Sequence, residues 1–264
     1  MPTCIIGDVH GRMDHLEELL DAVRKRFGDD VEYVSVGDLI DRGPDSKKVV
    51  EAMIQVGATG LLGNHETWMV DYLLKGEFWP GLLNPMMGTA PTVDSYNDGS
   101  IGERPVLMNA AAISRHLSRL IPDHHREFFL NLRCSLRLDV AGVTYWVSHA
   151  GLKVSAVERM CQAAREHGKT IPDEILMGVA ERVELDSLIW EHADIFPIYR
   201  YGDGSVQVFG HIPVPKVEST PHHIALDTGC GRTRQKPDVL SAVVLPEEGG
   251  RHIITGGRWL LGRK

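Results

Sequence analysis

Five short runs place Asp, Asn or His beside glycine, directly after a stretch of apolar residues. They are Gly7-Asp8-Val9-His10-Gly11, Gly37-Asp38-Leu39-Ile40-Asp41-Arg42-Gly43, Gly63-Asn64-His65-Glu66, Ser148-His149-Ala150-Gly151 and Phe209-Gly210-His211. An apolar run that stops at glycine reads as a buried strand giving way to a tight loop. The first three fall in the first quarter of the chain, and the two later histidines lie far away in sequence. Only a fold that brings distant strand ends into one cleft makes sense of that spread.

The pattern between the motifs agrees. Thr3–Ile6, Val31–Val36 and Gly60–Leu62 read as strands, and Met13–Phe27, Ser46–Ile54 and Glu66–Leu74 as helices. Such a β-α-β-α-β-α opening predicts an α/β fold whose site sits at the strand C-termini. Residues 75–102 are rich in Gly, Pro, Asn and Met and read as a cap or substrate-facing insertion. Helices are expected at Ala110–Leu120 and Asp123–Leu132, a hairpin over Cys134–Val140 and Val143–Val147, and helical tendency over Val154–Glu184. Strands follow at Val206–Phe209, His223–Leu226, Val239–Leu245 and His252–Ile254, and residues 1–264 read as one domain.

Composition narrows the function. A net charge of −8 argues against nucleic-acid binding, which rests on Lys and Arg neutralising phosphates. It leaves a phosphorylated substrate open, because bound metal inverts the local field. No membrane span or signal peptide is visible. Cys4, Cys134, Cys161 and Cys230 are widely spaced, which fits free thiols in a reducing cytoplasm, with Cys230 the one candidate for a functional role.

The donor types specify a chemistry. Asp8 and His10 are two positions apart and point the same way on extended chain. A carboxylate with an imidazole suits a borderline first-row metal. Asp38 follows the second strand, and one carboxylate can bridge two cations; hydrolytic pairs lie about 3.5–4 Å apart. Asn64 adds an amide oxygen, and His149 and His211 add ring nitrogens. Together these donors suffice for two divalent metals with positions left open for water and substrate. His65 can act as general acid, with Asp41 orienting it. The planar fork of Arg42 suits phosphate oxygens. Of the remaining histidines, His15, His116, His124, His125, His167, His222, His223 and His252 read as ordinary surface or partly buried residues.

In order and spacing these signatures resemble the calcineurin-like metallophosphoesterases, specifically the bacterial phosphoprotein phosphatase branch, with the diadenosine tetraphosphatases as a neighbouring group. Ser187-Leu188-Ile189-Trp190 and Leu226-Asp227-Thr228-Gly229-Cys230 extend the likeness. The resemblance implies a four-layer α/β/β/α sandwich with a dinuclear centre, most often manganese, with iron, zinc and nickel as alternatives. Asp8, His10 and Asp38 would hold one metal; Asp38, Asn64, His149 and His211 would hold the other. A bridging hydroxide would attack phosphorus in line, and His65, paired with Asp41, would protonate the leaving oxygen.

Two positions depart from the family pattern. Leu62 stands where phosphoprotein phosphatases place Arg, and Glu191-His192 where another phosphate-binding Arg is common. Either His192 substitutes, or Arg232 or Arg234 reaches in from the loop after Cys230. The leading expectation is a serine/threonine phosphoprotein phosphatase; the alternative is a small-molecule phosphohydrolase acting on dinucleoside polyphosphates. A non-catalytic scaffold fits poorly, since every expected ligand and His65 are present.

Overall fold

The computed structural model describes residues 1–85, 87–97, 110–151, 204–232 and 238–260. In chain order the elements are β1 (Thr3–Ile6), α1 (Met13–Phe27), β2 (Glu32–Ser35), α2 (Ser46–Gln55), β3 (Thr59–Gly60) and α3 (Thr67–Lys75). A 3-10 turn (Pro80–Leu83) precedes α4 (Ala90–Tyr96), α5 (Ala110–Leu120) and α6 (Asp123–Leu130). The later strands are β4 (Ser135–Val140), β5 (Val143–Ser148), β6 (Val206–Phe209), β7 (Glu218–Ser219), β8 (His223–Ala225), β9 (Ser241–Leu245), β10 (His252–Thr255) and β11 (Arg258–Leu260).

These strands form two sheets, in the orders β11-β10-β9-β1-β2-β3 and β4-β5-β6-β8-β7. Within the first, β1, β2 and β3 run parallel; within the second, β5, β6 and β8 do. One face of the first sheet packs on helices. Leu16, Leu19, Leu20 and Val23, at helical spacing on α1, are buried with Cys4 and Ile6 of β1 and with Val49, Val50 and Met53 of α2. The other face meets the second sheet: Ile5, Val34, Val36 and Val243 share a core with Tyr145, Val147, Val206, Val208 and Ile224. Being buried on both faces is why β1 and β2 read as continuous apolar runs instead of alternating ones. The architecture is thus the expected α/β one, two sheets flanked by helices.

Most differences from the sequence reading are shifts of one or two residues at element ends. Two short strands, β7 and β11, were not foreseen, because edge pairs of two or three residues leave no periodic trace. The hairpin stands as expected: Ala141 and Gly142 turn at φ of 50° and 77° between β4 and β5, the left-handed pair that matches strand twist. The helical tendency of Val154–Glu184, together with His192 and Arg234, lies outside the described residues.

What matters for function is where the parallel strands end. β1 delivers Asp8 and His10, β2 Asp38, β3 Asn64, β5 His149 and β6 His211. A sixth end, that of β8, delivers Asp227.

Candidate active site

The loops at these ends are stitched together through their backbones. Val9 and His10 donate to the Asp38 carbonyl at 3.0 and 2.9 Å, Gly11 to that of Leu39 at 2.8 Å, and Gly43 to that of His10 at 3.0 Å. The close approach explains two motif glycines. A Cβ on Gly63 would run into the Asp38 backbone and carboxylate, and one on Gly210 into the Asp8 carboxylate. His10, Asp38, Asp41, Arg42 and His211 all sit at positive φ, between 48° and 71°. Each such residue costs roughly 1–2 kcal/mol and persists only where its surroundings over-determine it.

Much of that determination comes from Glu66, which is completely buried. One of its oxygens accepts the N–H groups of Asp38 (2.8 Å) and Gly63 (3.0 Å). The other accepts those of Leu39 (2.8 Å) and Ile40 (3.2 Å). Burial pushes its carboxyl above the usual carboxylate range and the Asp38 charge adds to the push, while the backbone donors favour the ionised form. Its motif alone gives Glu66 no role; the four converging N–H groups do.

Asp38 occupies the centre. Its Oδ2 lies 3.4 Å from His10 Nε2 and its Oδ1 3.3 Å from His149 Nε2, so its two oxygens face two different imidazoles. Two groups of donors share it: His10, Asp38 and His65, and Asp38, His149 and His211, each with ligand atoms within 4.8 Å of one another. Asn64 Oδ1 belongs with the second, 2.9 Å from both His149 Nε2 and His211 Nδ1. Asp8 stands outside both groups, its carboxylate accepting the His211 N–H at 3.1 Å.

This donor set suits divalent cations. His10 and His149 give their Nδ1 protons to the carbonyls of Ile40 (3.0 Å) and Val36 (2.9 Å), which leaves each Nε2 lone pair facing the centre. Burial lowers both rings, His10 well below the usual imidazole range, which is the direction a metal ligand needs. Metal bonds of about 2.1 Å put neighbouring donors about 3.0–3.4 Å apart, close to the range spanned by the contacts of Asn64 and Asp38. Asp8, Asp38 and Asp227 are all buried close to one another. Burial, then the charges of Asp227 and Asp38, push Asp8 well above the carboxylate range. Burial also raises Asp38, but the imidazoles of His149, His65 and His10 outweigh it and hold that group low. Buried carboxylates in such numbers call for positive charge.

His65 differs from the other rings. Burial would lower it, but the Asp38 charge and the hydrogen bond to Asp41 raise it above the ordinary value. Its Nδ1 donates to Asp41 Oδ2 at 2.8 Å. Asp41 is itself held by Thr92 Oγ1 (2.8 Å) and Trp68 Nε1 (3.2 Å). Arg42 lies across the mouth, with Nη1 against His10 Nε2 and Nη2 3.0 Å from His65 Nε2.

The segment after α3 braces the site and, with Trp68 of α3, walls a cavity. Thr92 braces Asp41, and the Gly88 carbonyl accepts the Arg42 N–H at 2.8 Å. Trp68, Phe78, Trp79, Leu82 and Met87 line a cavity of about 700 Å³ that also touches Arg42, Asn64 and His65. Arg232 sits beside the site, its Nη2 3.5 Å from Asp227 Oδ2 and 3.4 Å from the His211 carbonyl, while its Nε is buried without a partner. Cys230 is no candidate: burial pushes its thiol up, and it donates to the Val9 carbonyl. Asp227 has no site role in the sequence-based expectation, although Ala225-Leu226-Asp227-Thr228-Gly229 repeats the apolar-to-glycine signal of the five motifs.

A profile of the calcineurin-like phosphoesterases matches residues 1–256. The chain belongs to that family. Calcineurin-like phosphoesterases are metal-dependent hydrolases, in keeping with the donor groups above. The chain is 27% identical over 235 residues to a bis(5'-nucleosyl)-tetraphosphatase (asymmetrical) of Oceanobacillus iheyensis, covering 86% of this chain and 83% of that one. It is 24% identical over 226 residues to serine/threonine-protein phosphatase 2 of Escherichia coli, covering 85% and 86%. A cold-active protein-tyrosine phosphatase of a Shewanella species superposes with a TM-score of 0.56 at 16% identity, over 98% of this chain and 79% of that one. At that identity the likeness concerns the fold. Among the described residues no helix is long and apolar enough to cross a membrane.

Proposed function

We propose that this calcineurin-like phosphoesterase hydrolyses a dinucleoside polyphosphate, with Asp8, His10, Asp38, Asn64, His149 and His211 holding two divalent cations, manganese first among those to test. When bound, such cations supply Lewis acidity toward a phosphoryl oxygen and acidify water at neutral pH. The chain's own residues do the rest. Arg42 binds phosphate oxygens through its fork, and Arg232, with its unpartnered Nε, adds positive charge from the other side. Drawn onto phosphate, Arg42 leaves His65 Nε2, which is then free to carry a proton to the leaving oxygen. Asp41 stabilises the doubly protonated ring through Nδ1. His10 and His149 are shifted down and His65 up, and imidazoles shifted in opposite directions within one site are a usual sign of divided labour.

The observation that carries the substrate assignment is the aromatic cavity opening beside His65 and Arg42. The Trp79 indole is 62% exposed there, and Phe78 and Leu82 form buried walls. A base stacked on such a ring is worth about 1–3 kcal/mol, and Asp71 and Glu77 among the lining residues offer polar atoms to its edges. The asymmetrical tetraphosphatase that aligns with most of the chain supports this reading. A serine/threonine phosphoprotein phosphatase is the second reading, favoured by the braced Asp41–His65 pair and by the Escherichia coli relative.

Catalytic efficiency should be compared on diadenosine tetraphosphate and on a phosphoserine peptide, in wild type and Trp79→Ala. The substitution should cost about tenfold on the dinucleotide and leave the peptide nearly unchanged. Equal losses, or a wild-type enzyme that prefers the peptide, would turn the assignment to the second reading.

A further inference from the structure

A third group of metal-type donors lies in the helical layer. Glu51 on α2 and the consecutive His124 and His125 on α6 bring their ligand atoms within 4.8 Å of one another. Both histidines aim Nε2 at a single carboxylate oxygen, Glu51 Oε2, at 2.8 and 2.9 Å. Consecutive helix positions differ by about 100° in direction, so two neighbouring rings converge only when something between them draws both in. The rings stand edge to face, 4.6 Å apart.

The surroundings resemble those of a metal ligand set. His125 is completely buried, and its Nδ1 lies 2.9 Å from the Tyr96 hydroxyl, itself buried on α4. With the ring proton on Nδ1 donated to that hydroxyl, the Nε2 lone pair would be free; this outer hydrogen bond commonly orients a ligating histidine. Glu51 Oε1 accepts Gln55 Nε2 at 3.1 Å, which fixes the carboxylate. On the solvent side, His124 and Glu51 have side chains 51% and 41% exposed, so a cation could enter and keep water ligands.

We propose that Glu51, His124 and His125 form a third metal site, selective for zinc or a similar borderline divalent ion, that clamps α6 to α2 and α4. Two imidazoles and one carboxylate suit zinc, cobalt, nickel or copper and discriminate against magnesium and calcium. The clamp reaches toward the active site. Ser46, at the start of α2, and Thr92, one turn before Tyr96 on α4, both hydrogen-bond the Asp41 backbone. A cation here would therefore steady the two helices that hold Asp41 in place.

Zinc bound per chain is measured by equilibrium dialysis at micromolar free zinc, for the full-length wild type, His124→Ala and Glu51→Gln, with circular dichroism as the check on folding. Both substituted side chains are partly exposed, so the fold should tolerate them. The expected result is one zinc fewer in each variant, and a wild-type melting temperature that zinc raises more than it raises that of His124→Ala. Equal stoichiometry in the wild type and either folded variant overturns the site. So does a third ion that magnesium displaces as readily as cobalt does.

Discussion

The molecule holds two kinds of imidazole–carboxylate cluster, and they are built by opposite means. At the strand ends the donors sit on left-handed backbone, and His10 and His149 are each anchored to a main-chain carbonyl. Four N–H groups converge on Glu66 to hold the loops in that shape. In the helical layer, Glu51, His124 and His125 ride on regular helix, and a side chain, Tyr96, provides the anchor. Precision at the strand ends is thus purchased with backbone strain and buried charge. The helical cluster needs neither and stays half open to water. A centre that carries out chemistry needs donors fixed within a fraction of an ångström; one that clamps helices does not.

Asp38→Asn should break the strand-end cluster most completely. Asparagine keeps the shape but replaces one oxygen with a donor, so its side chain can no longer face both His10 and His149 as an acceptor. Phosphoester hydrolysis should fall by about three orders of magnitude or more, and metal analysis should show lost occupancy. A variant that still held two ions would contradict the bridging role. The effect of Glu66→Gln comes next. It turns an amide nitrogen toward backbone donors that now meet an acceptor, and should lower stability by about 3 kcal/mol, read from urea unfolding. Activity should fall even in the folded fraction, because Asp38 and Ile40 lose the group that positions them. If Glu66→Gln were as stable and active as wild type, the loops would not depend on that carboxylate.

How much of this could be read in the sequence follows from the same contrast. Strained loops leave marks, because a strand end that must turn left-handed or approach another backbone closely demands glycine. Gly37, Gly63 and Gly210 therefore advertised Asp38, Asn64 and His211. Asp227 carries the same mark in Leu226-Asp227-Thr228-Gly229, a run that the family likeness includes without giving its carboxylate a role. Glu66 was harder, since nothing in a single glutamate says that four N–H groups will converge on it. The aromatic cavity joins Trp68 to Trp79, Leu82 and Met87 across a helix end and a loop without period, so composition hinted at it and only packing assembled it. The helical cluster left no mark at all. His124 and His125 read as ordinary residues because regular helix demands no special neighbour, and Glu51 is 73 residues away from His124.

Tyr96→Phe makes the smallest and most discriminating change. The hydroxyl is removed from a fully buried position, and His125 Nδ1 loses its partner while the ring volume is kept. The cost should be about 1 kcal/mol in unfolding free energy, with hydrolysis left intact, because Tyr96 touches none of the strand-end donors. A mixed outcome would carry the most information. If Tyr96→Phe slowed hydrolysis as well, the path from Tyr96 through Thr92 to Asp41 would have to be stiff enough to transmit the change. The two clusters would then be one coupled device, and the contrast between them would hold for their construction and not for their work.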